Sequence, residues 1–82
     1  SEIFSLCGRN AVQIRPKRST ELDLVKLKEH LERLGKVVDN KFFISFTVED
    51  FEMVIFPDGR AMIKGTTDEA TARTLYAKYI GT

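Results

Sequence analysis

A single cysteine, a single histidine and almost no net charge set the first limits on this chain of 82 residues. One cysteine excludes an internal disulfide framework and fits a reducing compartment, so a cytoplasmic location is the expectation. Thirteen basic and twelve acidic side chains leave a formal net charge of +1. Nucleic acid normally calls for a clear basic excess, and the balance argues against that partner. No apolar run reaches the roughly 18–20 residues of a membrane span, and no charged-then-apolar leader opens the chain. The opening Ser1-Glu2-Ile3-Phe4 has no methionine, which suggests a piece cut from a longer protein.

What is present suits one small domain. The chain is 43% hydrophobic and 30% charged, ordinary for a globular protein and unlike a disordered one. At this length folding buries roughly 60–65% of the surface exposed by the unfolded chain, enough for one well-filled core.

Residues 1–10 have no clear period and read as a linker. Ala11-Val12-Gln13-Ile14-Arg15 alternates, predicting a strand with Val12 and Ile14 inward, closed by Pro16. Leu24, Leu27, Leu31 and Leu34 then mark one stripe of an amphipathic helix. Asp23 or Thr20 is its expected cap, and Gly35 its expected left-handed stop. Four short runs follow: residues 36–38, 42–48, 51–56 and 60–64, separated by turn residues that favour hairpins. Thr66 and Glu69 have capping-box spacing before a second helix. Its predicted buried stripe is Ala72, Leu75, Tyr76 and Tyr79, with Gly81 as the stop. The expected fold is therefore α+β in the order β-α-β-β-β-β-α, one antiparallel-rich sheet with both helices packed on one face.

No complete active site emerges. His30 lies at the edge of the first helix stripe and has no motif-linked nucleophile. Cys7 has only Gly8 and Arg9 beside it, and Phe4 stands where the first cysteine of a C-x-x-C pair would be. Neither glycine-rich phosphate motif is present, although Gly65-Thr66-Thr67 enters a helix start where amides could hold an anion. Catalytic, cofactor-binding and metal-ligating residues are thus expected to be none in this chain.

The outer face of the sheet is the remaining candidate. If Phe42, Ile44, Phe46, Val48, Phe51, Met53, Ile55, Ala61 and Ile63 point inward, Phe43, Val54, Phe56 and Met62 point outward. Four large apolar side chains with Arg60 at their rim suggest an interaction surface. The same face, with Phe43 and Phe56 stacking bases, would serve a free-standing RNA-binding domain; a purely structural cap is the third reading.

Three stretches carry a resemblance: Leu6-Cys7-Gly8-Arg9-Asn10-Ala11-Val12-Gln13-Ile14, Phe56-Pro57-Asp58-Gly59-Arg60-Ala61-Met62-Ile63-Lys64-Gly65-Thr66, and Ala72-Arg73-Thr74-Leu75-Tyr76-Ala77-Lys78-Tyr79-Ile80-Gly81. Together they resemble the C-terminal domain of ThiF/MoeB/HesA-type adenylyltransferases, which are ubiquitin-activating-enzyme-like. The resemblance implies an upstream Rossmann-like domain that binds ATP and magnesium and adenylates a ubiquitin-like sulfur carrier protein, for thiamine or molybdopterin biosynthesis. Nothing here matches that domain's ATP loop, adenylation arginines or conjugating cysteine. Cys7 falls near the family's second zinc-binding C-x-x-C pair, from which Phe4 departs.

The resulting expectation is a linker at residues 1–10 from a missing catalytic domain, then one accessory domain at residues 11–82. Its partner would be the sulfur carrier protein, the parent catalytic domain or a second copy of the chain, met through Phe43, Val54, Phe56, Arg60 and Met62. By this reading the chain alone is not an enzyme.

Overall fold

The computed structural model describes residues 10–16 and 21–81. The linker expected at residues 1–10, apart from Asn10, lies outside the described residues, as do Cys7 and Thr20.

Strand β1 (Ala11–Ile14) is followed by helix α1 (Leu24–Glu32), strands β2 (Lys36–Asp39), β3 (Ile44–Val48), β4 (Phe51–Ile55) and β5 (Ala61–Lys64), and helix α2 (Glu69–Tyr79). This is the predicted order. The strands form one sheet in the order β1-β5-β4-β3-β2, and every neighbouring pair is antiparallel. Hairpins join β2 through β5 because the intervening runs are too short for crossovers. The first strand then returns to the far edge, beside β5.

Alternation builds the core. Ile44, Phe46, Met53, Ile55, Ala61 and Ile63 are each at most 1% exposed, so one whole sheet face is dry. Leu31 of α1 and Ala72, Leu75, Tyr76 and Tyr79 of α2 close over that face in the same cluster. Both helices therefore cover one side of the sheet. The Phe46 and Tyr79 rings meet edge to face, with centroids 5.1 Å apart.

The start of α1 meets expectation and its end does not. Asp23 is the cap of α1, its carboxylate accepting from the amides of Val25 at 3.1 Å and Lys26 at 3.2 Å. At the other end Gly35 does not take the left-handed conformation; among the described residues the glycines that do are Gly59, Gly65 and Gly81. Instead the amides of Leu34 and Gly35 both donate to the Leu31 carbonyl, a tightened last turn. Gly35 is small for a different reason. A Cβ there would collide with the Thr47 carbonyl oxygen and press on the Phe46 ring. The early end of the helix also leaves Leu34 exposed rather than in the core stripe.

Two further expectations are corrected. The α2 cap is Asp68, which accepts from the Ala70 amide; Thr66 accepts from the Asp68 amide, and Glu69 pairs with Arg73 at 3.2 Å. Thr66 and Glu69 therefore make no capping box. Phe42, expected inward, is 71% exposed. It precedes β3, in a turn where the Asn40 side chain accepts from the amides of Phe42 and Phe43, at 2.7 and 3.0 Å. Alternation holds only where the strand exists.

Candidate partner-binding face

No described helix lies on the other side of the sheet. There the register sets Gln13 beside Met62, Met62 beside Val54, Val54 beside Ser45 and Ser45 beside Val38, a row across all five strands. A second row, Ala11, Lys64, Glu52, Thr47 and Lys36, runs parallel to it and is mostly polar. Glu52 links the two: it accepts from Ser45 Oγ at 3.0 Å and lies 4.0 Å from Lys64 Nζ.

At the opposite end of this face the side chains are aromatic. Phe43 and Phe56 meet edge to face at 5.9 Å, and the Arg60 guanidinium sits 5.0 Å above the Phe56 ring. Asp58 fixes that guanidinium, accepting from Arg60 Nε at 2.8 Å and from the Arg60 amide at 3.1 Å. The bond from the Arg60 amide, and the guanidinium beside it, hold the Asp58 carboxyl below the ordinary aspartate range.

The turn that carries Arg60 is held from three sides. The Phe56 amide donates to the Arg60 carbonyl at 2.8 Å and the Gly59 amide to the Phe56 carbonyl at 3.0 Å, closing a three-residue hairpin loop with Gly59 left-handed. From outside the hairpin, the Leu22 amide donates to the Pro57 carbonyl at 2.8 Å and the Tyr76 hydroxyl to the Gly59 carbonyl at 2.6 Å. The Phe-Pro-Asp-Gly-Arg stretch is thus a rigid corner between the two layers, and Arg60 projects from it.

Phe43, Val54, Phe56 and Met62 all lie on this outer face and are half-buried, with Arg60 at the rim. The sequence reading missed Val38, which is 57% exposed in the central row. Its signal was the alternation with Val37, whose partner Phe46 is in the core.

Among the described residues no three His, Cys, Asp or Glu side chains converge to hold a metal ion. The candidate anion site is also spent, since the Gly65 and Thr66 amides both donate to the Asn10 carbonyl, at 2.7 and 3.1 Å. His30 is exposed on α1 and joins no such group. No helix among the described residues is long and apolar enough to cross a membrane.

A five-stranded antiparallel sheet backed by two helices, with an aliphatic and aromatic outer face, defines a small two-layer α+β domain. The chain is 48% identical over 77 residues to the sulfur carrier protein ThiS adenylyltransferase of Bacillus subtilis (strain 168), covering 93% of this chain and 23% of that protein. The resemblance to ThiF/MoeB/HesA-type adenylyltransferases is thereby borne out, and the chain spans about a quarter of the length of the relative it matches. No protein-family model and no solved structure matches the chain.

Proposed function

We propose that this chain is a non-catalytic docking domain of an ATP-dependent enzyme that adenylates a ubiquitin-like sulfur carrier protein. The active site, with its ATP and magnesium, belongs to another part of that enzyme. The domain's task is to bind and position, and its contact is the outer sheet face: Phe43, Val54, Phe56 and Met62, with Arg60 at the rim.

One observation carries the reading. The face across from the helices sets the apolar neighbours Val54 and Met62 and the Phe43–Phe56 pair among charged pairs, the arrangement usual for a protein contact. Arg60 is already oriented by Asp58 and Phe56, so little side-chain freedom remains to be lost on binding. The same geometry disfavours RNA. A stacking platform needs open ring faces, whereas Arg60 covers one face of Phe56 and Phe43 meets that ring at an interplanar angle of 63°.

The test is an NMR titration of the chain with a ThiS-like sulfur carrier at low and moderate salt. Saturable shifts at Phe43, Val54, Phe56 and Met62 that survive added salt are expected. Silence at near-millimolar carrier would favour a structural cap; binding of RNA that collapses steeply with salt would favour the nucleic-acid reading.

A further inference from the structure

The layer opposite that face carries a second feature. Where the start of α1 passes the end of α2, a groove of about 350 Å³ is lined by Leu22, Leu27, Tyr79 and Ile80, with Lys26, His30 and Lys78 around it. Lys26 and His30 are one helical turn apart and share a face of α1. Lys78 comes from the last turn of α2 and lays its ammonium 5.2 Å from the centre of the Tyr79 ring.

The lining is net positive, with Lys26 and Lys78 against the single acid Asp23. Lys28, Arg60, Lys64 and Arg73 each have a carboxylate within 4.0 Å, whereas Lys26 and Lys78 have none among the described residues. Asp23 turns its Oδ1 to the amides of Val25 and Lys26 as the helix cap, and no ion pair joins it to either lysine. An apolar floor under unpaired cations calls for an occupant with the opposite pattern. A nucleic acid would need an open ring to stack on, but Tyr79 is only 6% exposed and has Lys78 over it.

We infer that the groove between α1 and the end of α2 binds an acidic segment of a partner protein that inserts one apolar side chain between Leu22, Leu27 and Ile80. Carboxylates of that segment meet Lys26 and Lys78, with His30 beside them. The site is independent of the outer sheet face, which lies across the sheet and is read by different amides.

The probe is a short synthetic acidic peptide with one central leucine, titrated into the chain and followed by amide shifts. Two control peptides replace its acids by glutamine, or its leucine by serine. Saturable shifts at Lys26, Leu27, His30, Lys78 and Ile80 are expected with the first peptide, and at least about tenfold weaker binding with either control, one tenfold being 1.4 kcal/mol. The double substitution Lys26→Glu with Lys78→Gln should weaken binding by a similar factor. An acid in the first turn of α1 suits the helix dipole, so an unfolded variant is not the expected cause, and far-UV circular dichroism checks it. The inference is overturned by absent shifts, by shifts scattered over distant lysines such as Lys36 and Lys41, or by controls that bind equally well. Anionic vesicles or RNA binding the groove where the peptide does not would overturn it too. Shifts confined to Phe43, Val54 and Met62 would overturn it while leaving the outer-face reading standing.

Discussion

The Tyr76 hydroxyl donates a 2.6 Å hydrogen bond to the carbonyl of Gly59, seventeen positions away in sequence. It joins the buried side of α2 to the hairpin between β4 and β5. Because the bond is buried, loss of the hydroxyl leaves a desolvated carbonyl short of a donor. Tyr76→Phe keeps the ring in the core and removes only that donor. It should destabilise the chain by about 1–3 kcal/mol in urea unfolding. Its largest chemical-shift changes should fall at Gly59 and Arg60, since the turn that aims Arg60 loses one of its anchors.

Gly35 makes a contrasting case, in which space decides the outcome. Its backbone is not left-handed, so alanine meets no conformational penalty of that kind. Yet an added Cβ would run into the Thr47 carbonyl oxygen and the Phe46 ring, and β3 cannot retreat without disturbing its pairing with β4. Gly35→Ala should therefore cost about 1–3 kcal/mol, the range of overpacked cores. A helix-stop role would instead predict little change, because alanine suits the right-handed conformation. Urea midpoints of the two forms separate these accounts.

These two glycine and tyrosine contacts show where the sequence could be read and where it could not. Alternation within a strand is local, so Ile44 with Phe46, Met53 with Ile55, and Ala61 with Ile63 were legible as an inward face. The stripe of Ala72, Leu75, Tyr76 and Tyr79 was legible in the same way, and with it the outward placement of Val54 and Met62. Element ends depend on neighbours instead. Leu34 fits the helical period, but the helix ends at Glu32, where the chain must turn into the edge strand. Phe42 fits the strand period, but Asn40 folds the backbone back before pairing begins. The clamp on the Pro57-Asp58-Gly59 turn comes from Leu22 and Tyr76, contacts that no local pattern encodes.

Acid should weaken the fold through two aspartates. Hydrogen bonds lower both carboxyls below the ordinary value of 3.8: chiefly from the Thr71 hydroxyl, then the Ala70 amide, at Asp68, and chiefly from the Arg60 amide at Asp58. A carboxyl depressed in the folded state binds protons less readily than in the unfolded chain. Its stabilisation is present above 3.8 and is lost as pH falls through the lower folded value. Stability measured by urea should thus decline from about pH 4 downward, the unfolded aspartate range. In Asp68→Asn the decline should be shallower. An unchanged slope in that variant would mean that Asp68 is not a source of the acid sensitivity.

The outer face gives the prediction that separates docking from capping. Val54 and Met62 are paired neighbours at the middle of the central row, and neither belongs to the core cluster. Met62→Lys places a flexible cation there whose stem can lie along the sheet while its ammonium reaches water. The fold should survive it, with a modest loss in thermal midpoint. A partner that buries this row would have to desolvate the new charge, and affinity for the sulfur carrier should fall at least about tenfold, or 1.4 kcal/mol. Thr47→Lys, in the neighbouring polar row, adds the same single positive charge away from the apolar centre. Rim charges alter association more than lasting affinity, so its effect should be small and vanish with salt. Equal losses in the two variants would point to a diffuse electrostatic attraction. A loss specific to Met62→Lys would place the contact on the face opposite the helices.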